Sequence, residues 1–272
     1  MSGKFDFISF GAASDKGAAR PNNEDSFMLL GSAGCFAVAD GMGGGEAGEI
    51  ASQIIVGKIK SAMEGSESES PGERKCAFKD ALISANSEIA KYMSSRGFSL
   101  MGSTVVGFIS DSWNPSIAHI CHIGDSRVYC LRLGELFRIT SDHTLGAELA
   151  IKSPKDKIPA HLNHILTRCI SGGSSVNPEW NTISVCENDV FLVCSDGVPT
   201  MLGDQEIRAL LSAGEPPDAA AKKIVDSANE RGGFDNITAI VLKISDKLPP
   251  KEEVSEIDVA ESELLLNVAE RH

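Results

Sequence analysis

The spacing of apolar positions changes character several times along the chain. Phe5–Ala12, Asp25–Leu30 and Cys35–Ala39 are short apolar runs that predict strands. Ile50, Ile54, Ile55 and Ile59 then recur at helical spacing and predict a helix over 46–63. The polar stretch Glu64–Arg74, EGSESESPGER, reads as a surface loop. Ala81, Leu82, Ala85, Ile89 and Tyr92 share one face of a second helix over 75–96. Strand-like runs return at Gly102–Ser110, Ile117–Ile123, Arg127–Leu133 and Glu135–Ile139, with a tight hairpin turn at Leu133-Gly134-Glu135. Residues 145–165 form a mixed polar segment with Pro154 and Pro159. Two further strands are expected at Trp180–Val185 and Asp189–Cys194, helices over 204–213 and 216–231, and a buried final strand at Ile237–Ile244. Helices bracket clusters of consecutive strands. That order predicts a layered α+β sandwich with largely antiparallel sheets rather than a strict βαβ alternation.

Composition narrows the functional classes. The chain has 272 residues, 42% of them hydrophobic, enough for one sizeable core, and a formal net charge of -13. An acidic chain is a poor ligand for nucleic acid or an anionic membrane surface, which require Lys and Arg. No run approaches the roughly 18 apolar residues of a membrane span. Seven cysteines occur without C-x-x-C spacing, and Cys35, Cys121, Cys130 and Cys194 sit in apolar runs as small hydrophobes. That usage, and an N-terminus without a signal-peptide core, predict a cytoplasmic protein. Residues 249–272 read as an acidic tail after the 1–248 domain; Val254, Ile257, Val259, Leu264, Leu265 and Val268 make a partial stripe that a helix would gather.

The chemistry concentrates where strands end. Asp40-Gly41, Asp125-Ser126 and Asp196-Gly197 each follow an apolar run, and Asp235-Asn236 precedes one. One such pair is ordinary turn chemistry. Four beside buried strands suggest a shared site, where gathered carboxylates would need cations. The stretch Cys35–Glu49, CFAVADGMGGGEAGE, adds an ambiguity, because Gly43-x-Gly45-x-x-Gly48 has the form of a dinucleotide-binding turn.

Eight pieces, in order, resemble the PPM (PP2C-like) family of metal-dependent protein serine/threonine phosphatases in its bacterial form. They are Arg20-Pro-Asn-Asn-Glu24-Asp25, Val38-Ala-Asp40-Gly41-Met42-Gly43-Gly44, Gly102-Ser103-Thr104, Gly124-Asp125-Ser126-Arg127, Asp142-His143, Leu166–Gly173, Cys194-Ser-Asp196-Gly197 and Asp235-Asn236-Ile237-Thr238. The resemblance covers about residues 8–245. It implies a four-layer α-β-β-α sandwich with a metal site at one edge between the sheets. The dinucleotide reading also lacks its acid. The residues about 20 positions on are Glu67 and Glu69, in a polar loop with no second strand to present them.

The resemblance implies these roles. Asp40 bridges two Mn²⁺ or Mg²⁺ ions, Asp196 and Asp235 complete the first, and Glu24 and the Gly41 carbonyl serve the second. Asp125, with Asp196, holds a weaker third ion. Asp25 orients metal-bound water, and Arg20 clamps the phosphate. A hydroxide bridging the ions would attack phosphoserine or phosphothreonine of a protein, opposing a Ser/Thr kinase. The chain is expected to be a monomer, and 145–165 matches the family's flap. One departure is Met42, where animal members often carry a histidine that protonates the leaving group; a thioether cannot. His161 and His164 are expected at the surface. Two other readings remain: a catalytically silent module that recognises phosphoproteins, against which the intact acid set counts, and a regulatory phosphatase for an anti-sigma-factor antagonist, which would usually carry a sensor domain.

Overall fold

A computed structural model describes residues 4–44, 46–153, 157–173 and 175–253. The stripe over 254–268 lies outside the described residues. Two antiparallel sheets stack face to face. One runs β1 (Ile8–Asp15), β11 (Ile237–Ile244), β10 (Val190–Cys194), β7 (Arg127–Arg132), β8 (Glu135–Arg138). The other runs β2 (Asp25–Leu30), β3 (Cys35–Met42), β5 (Val105–Ser110), β6 (Ile117–Ile123), β9 (Glu179–Ser184), with the short β4 (Gly102–Ser103) paired to the end of β3. Helices α1 (Glu46–Met63) and α2 (Pro71–Arg96) cover the second sheet, and α5 (Asp204–Ser212) and α6 (Pro217–Glu230) cover the first. The short α3 (Leu145–Lys152) and α4 (Gly197–Met201) lie in connections.

The layering explains why the strands read as continuous apolar runs: their central segments are buried on both faces. In β3, Phe36 and Val38 point between the sheets, against Phe108, Phe191, Val193 and Ile240. Their neighbours Cys35, Ala37 and Ala39 point the other way, under Ala51, Ile55, Ile59, Leu82 and Ala85 of α1 and α2. Small residues on that face of β3 let the helices approach closely. A third core lies beneath α5 and α6, where Leu192, Cys194, Ala239 and Val241 meet Ile207, Leu211, Ala221 and Ile224. Cys35, Cys121, Cys130 and Cys194 are all buried free thiols.

Several boundaries differ from the sequence expectation. β1 starts three residues later than expected, and α2 begins at Pro71, inside the expected loop. A capping box starts that helix: Ser70 accepts from the Glu73 N–H, the Glu73 carboxylate accepts from the Ser70 N–H, and Pro71 is pre-set for the first turn. The expected strand over 102–110 is broken at Thr104, whose N–H turns aside to the Asp40 carbonyl. Residues 145–165 contain α3, N-capped by Thr144, and a 3-10 turn over Ala160–His164, rather than polar coil alone. The hairpin turn Leu133-Gly134 is tight as expected, with both residues at positive φ (51° and 79°).

Candidate metal and phosphate site

Antiparallel pairing brings the start of one strand beside the end of the next, so one edge collects residues far apart in sequence. Asp25, at the start of β2, lies opposite Asp40, near the end of β3. Glu24 immediately precedes β2, Asp125 sits in the β6–β7 turn, Asp196 follows β10 and Asp235 precedes β11. Glu24, Asp40, Gly41, Asp125, Asp196 and Asp235 line one pocket of about 220 Å³, with Arg20 beside them. Asp25 is buried and does not line this pocket.

Local packing fixes these groups. Both Ser195 Oγ (2.8 Å) and Thr238 Oγ1 (2.7 Å) donate to Asp25 Oδ2. The backbone N–H of Asp40 donates to Thr104 Oγ1 at 3.2 Å. Asn236 ties down the loop that carries Arg20 and Glu24. Its Oδ1 accepts from the Glu24 N–H, and its Nδ2 donates to the carbonyls of Lys16 and Asn22, all at 2.8 Å. Arg20 Nη2 donates to Asp235 Oδ2 at 2.8 Å from a half-exposed position. One guanidinium nitrogen is thereby engaged and the rest of the fork remains at the pocket mouth.

The glycines of the CFAVADGMGGGEAGE stretch make room for the acids. A side chain at Gly41 would strike the backbone of Gly48 and the Glu24 carbonyl, and one at Gly48 would run into the Glu24 carboxylate. Gly43 and Gly44 take positive φ (134° and 80°), turning the chain from β3 toward α1.

Electrostatics test whether cations fit. Burial, and then the neighbouring carboxylates, push Asp40 well above the ordinary carboxylate range and raise Asp196 too. Burial raises Asp125 to about 7, with Asp196 and Asp142 adding to it. Asp25 is also raised to about 7, by burial, despite the two hydroxyl donors. Oδ1 of Asp25 and Oδ1 of Asp196 are buried without a hydrogen-bond partner. An all-oxygen donor set with unspent negative charge around an open, polar pocket fits hard divalent ions such as Mg²⁺ or Mn²⁺, which take oxygen ligands and keep water.

No local sequence pattern gives Asn236, Thr104, Ser195 or Thr238 a role. Each stands in or beside a quoted motif, but which acid it holds depends on strand register. His164, expected simply at the surface, is exposed yet lines the acidic pocket. Among the described residues, His122, His143 and Glu179 form another trio of metal-capable groups, with ligand atoms within 4.8 Å of one another. Their geometry is wrong for a cation. The two imidazoles stack at 4.5 Å with planes 12° apart, so their in-plane lone pairs run side by side, and Arg168 Nη1 stands 3.4 Å from His143 Nε2. His143 instead braces the Asp125 turn. His143 Nδ1 accepts from the Gly124 N–H at 3.1 Å, and the His143 N–H donates to the Gly124 carbonyl at 2.9 Å.

Two antiparallel sheets thus lie between helix layers, with five acids gathered at one edge. Residues 19–216 match the family model described as protein phosphatase 2C, and the chain belongs to that family. It is 33% identical over 244 residues to the serine/threonine protein phosphatase PstP of Mycobacterium tuberculosis, covering 88% of this chain and 45% of PstP. It thus spans about half the length of that relative. It is 30% identical over 241 residues to protein phosphatase PhpP of Streptococcus pneumoniae, covering 86% of this chain and 96% of PhpP. Among solved structures, the catalytic domain of PstP in complex with two manganese ions superposes with a TM-score of 0.77 at 31% identity, over 88% of this chain and 99% of that one. PppA, a regulatory component of the type VI secretion system in Pseudomonas aeruginosa, superposes at 0.78 and 31% identity, over 87% of this chain and 97% of PppA.

Proposed function

We propose that this chain hydrolyses phosphoserine and phosphothreonine on proteins with the help of two divalent ions, Mn²⁺ or Mg²⁺, and a weaker third. The observation that carries the reading is the convergence of Glu24, Asp40, Asp125, Asp196 and Asp235 on one pocket, with the Arg20 guanidinium at its mouth. Asp40 would be shared between two ions, with Asp196 and Asp235 on one side and Glu24 and the Gly41 carbonyl on the other; Asp125 would serve the third with Asp196. When bound, such ions neutralise phosphate charge and make water acidic enough to supply a nucleophile near neutral pH. The protein's own contribution is placement. Asn236 holds the Glu24 loop, Ser195 and Thr238 hold Asp25, and Arg20 orients the phosphate oxygens through paired donors. Met42 lines the pocket and supplies no proton.

The name and manganese-bound structure of PstP support this chemistry, and so does the near-full coverage of PhpP. The partners proposed are phosphoproteins and a kinase that phosphorylates them, met by a monomer. Free buried thiols support a reducing, cytoplasmic setting, and no helix among the described residues is long and apolar enough to cross a membrane. The test is hydrolysis of p-nitrophenyl phosphate and of a phosphothreonine peptide in Mn²⁺. We expect both to be cleaved and EDTA to abolish both. Activity that survives EDTA sinks the metal reading, and binding of the peptide without cleavage favours the silent module.

A further inference from the structure

Beside the acidic pocket lies a second cavity of about 450 Å³, and the two share Asp125, Asp196 and His164 in their walls. One side is α3 and the 3-10 turn of the flap, contributing Ala147, Ala150 and Asn163; the other is formed by Arg127, Arg138 and Asp142. Taken as a sphere, a cavity of that size is roughly 10 Å across, about three residues of extended chain at ~3.3 Å each.

Its charges are unequal. Asp142 accepts from Arg127 with both oxygens, at 2.9 and 2.7 Å, and the third Arg127 nitrogen donates to the Tyr129 hydroxyl at 2.8 Å. Each Arg127 nitrogen therefore makes one hydrogen bond, and the charge of Asp142 is matched by Arg127. Arg138 reaches the same Asp142 only at 3.5 Å, and its side chain is 40% exposed. Glu135, at the other end of β8, pairs with Arg208 instead. Two arginines against one aspartate leave one positive charge in excess on this wall. The other carboxylates of the cavity, Asp125 and Asp196, belong to the proposed metal site.

We propose that this cavity is an anion subsite of the phosphatase, in which Arg138 reads a carboxylate or a second phosphate on the substrate chain within about three residues of the phosphorylated one. The proposal rests on the phosphatase reading above. It makes Arg138 a residue for substrate choice. Arg127, already paired with Asp142 through two nitrogens, keeps that carboxylate in place.

The test is a set of phosphothreonine peptides in which one glutamate, or one phosphoserine, is walked through three positions on either side against glutamine. The full chain is assayed in Mn²⁺. We expect one or two positions on one side to raise kcat/KM about tenfold (~1.4 kcal/mol), mainly through KM. Loss of phosphate from the threonine alone is followed by mass, because phosphoserine is itself a proposed substrate. Gains from both residues identify negative charge as what is read, and a gain from phosphoserine without one from glutamate identifies a phosphate. Arg138→Ala should flatten the profile, Arg138→Glu should invert it toward peptides with lysine, and Arg138→Lys should restore most of it. Melting temperatures report whether the variants are folded. A flat wild-type profile, or one that survives Arg138→Ala, overturns the subsite even if p-nitrophenyl phosphate is hydrolysed. Failure of the wild type to hydrolyse p-nitrophenyl phosphate in Mn²⁺ overturns the phosphatase reading, and the subsite with it.

Discussion

Gly48 sets two residue-scale effects against each other. Replacing a helical glycine by alanine ordinarily stabilises by about 0.8–1 kcal/mol. At Gly48 the new methyl would collide with the Glu24 carboxylate, whereas Gly57, in the same helix, has open space around it. We expect Gly57→Ala to raise stability by up to about 1 kcal/mol. Gly48→Ala should instead displace Glu24 and raise the Mn²⁺ concentration for half-maximal activity on the order of tenfold. Titrating activity with Mn²⁺ in both variants checks this, and equal curves would show that Glu24 contributes little to metal affinity. Asp40 carries the other residue-scale prediction. Asp40→Asn keeps the shape but removes the charge proposed to hold two ions. We expect kcat to fall on the order of 10³-fold, about 4 kcal/mol of transition-state stabilisation. Asp125→Ala should reduce turnover while calorimetry still finds the two tighter ions. Near wild-type turnover of Asp40→Asn in saturating Mn²⁺ would show that the site has been misassigned.

At the scale of elements, β7 and β8 are joined by two residues that must both take positive φ, and one of them is Leu133. Leucine is strained there, and its side chain is 99% exposed, so it gains nothing from packing. Leu133→Asn, giving Asn-Gly, fits the turn. We expect about 0.5–1 kcal/mol of stabilisation, read as a rise of roughly 2–3 °C in Tm. A fall would show that Leu133 is not held in a strained turn. The flap carries a different expectation. Its base is tied to the sheet edge by pairing of Thr144 with Leu166 and by the bond from the Leu145 N–H to the Ile165 carbonyl. Its body packs few buried side chains. Exchanging 145–165 for a relative's flap should therefore change activity on a phosphoprotein far more than on an aryl phosphate. Equal losses on both would place the flap in bond cleavage itself.

For the whole molecule, the gathered carboxylates link folding to metal. In a chain of net charge -13 their mutual repulsion opposes the folded state until cations are bound. Mn²⁺ at 100 times its Kd should stabilise by about 2.7 kcal/mol, an increase in Tm of roughly 5–10 °C. In EDTA, Asp40→Asn should melt at or above the wild type, because it removes a buried carboxyl whose ionised form the folded cluster disfavours. In Mn²⁺ the order should reverse. Calorimetric scans of both proteins in both conditions decide this, and an unchanged order would mean that Asp40 does not hold the ions.

Strands and helices were legible in the residue pattern wherever periodicity was long: β2, α1, β6 and β11 fall where the apolar runs place them. It also supplied the acids, because Asp and Asn beside a buried strand are visible as breaks in an apolar pattern. Less was legible where a local hydrogen bond competes with periodicity. The Ser70–Glu73 box starts α2 at Pro71, four residues before the start expected at Lys75, and Thr104 breaks a run that looked like one strand. That Asp40, Asp125, Asp196 and Asp235, separated by up to 195 positions (235 − 40), share one pocket is visible only in the folded chain. That depends on strand order, β1-β11-β10-β7-β8 against β2-β3-β5-β6-β9, which no local pattern encodes. The folded chain alone places Asn236 on the Glu24 loop and shows that Gly48 is small because a carboxylate needs the space. Apolar spacing reports a segment's own burial. Contacts between segments depend on register and packing, which the chain acquires only on folding.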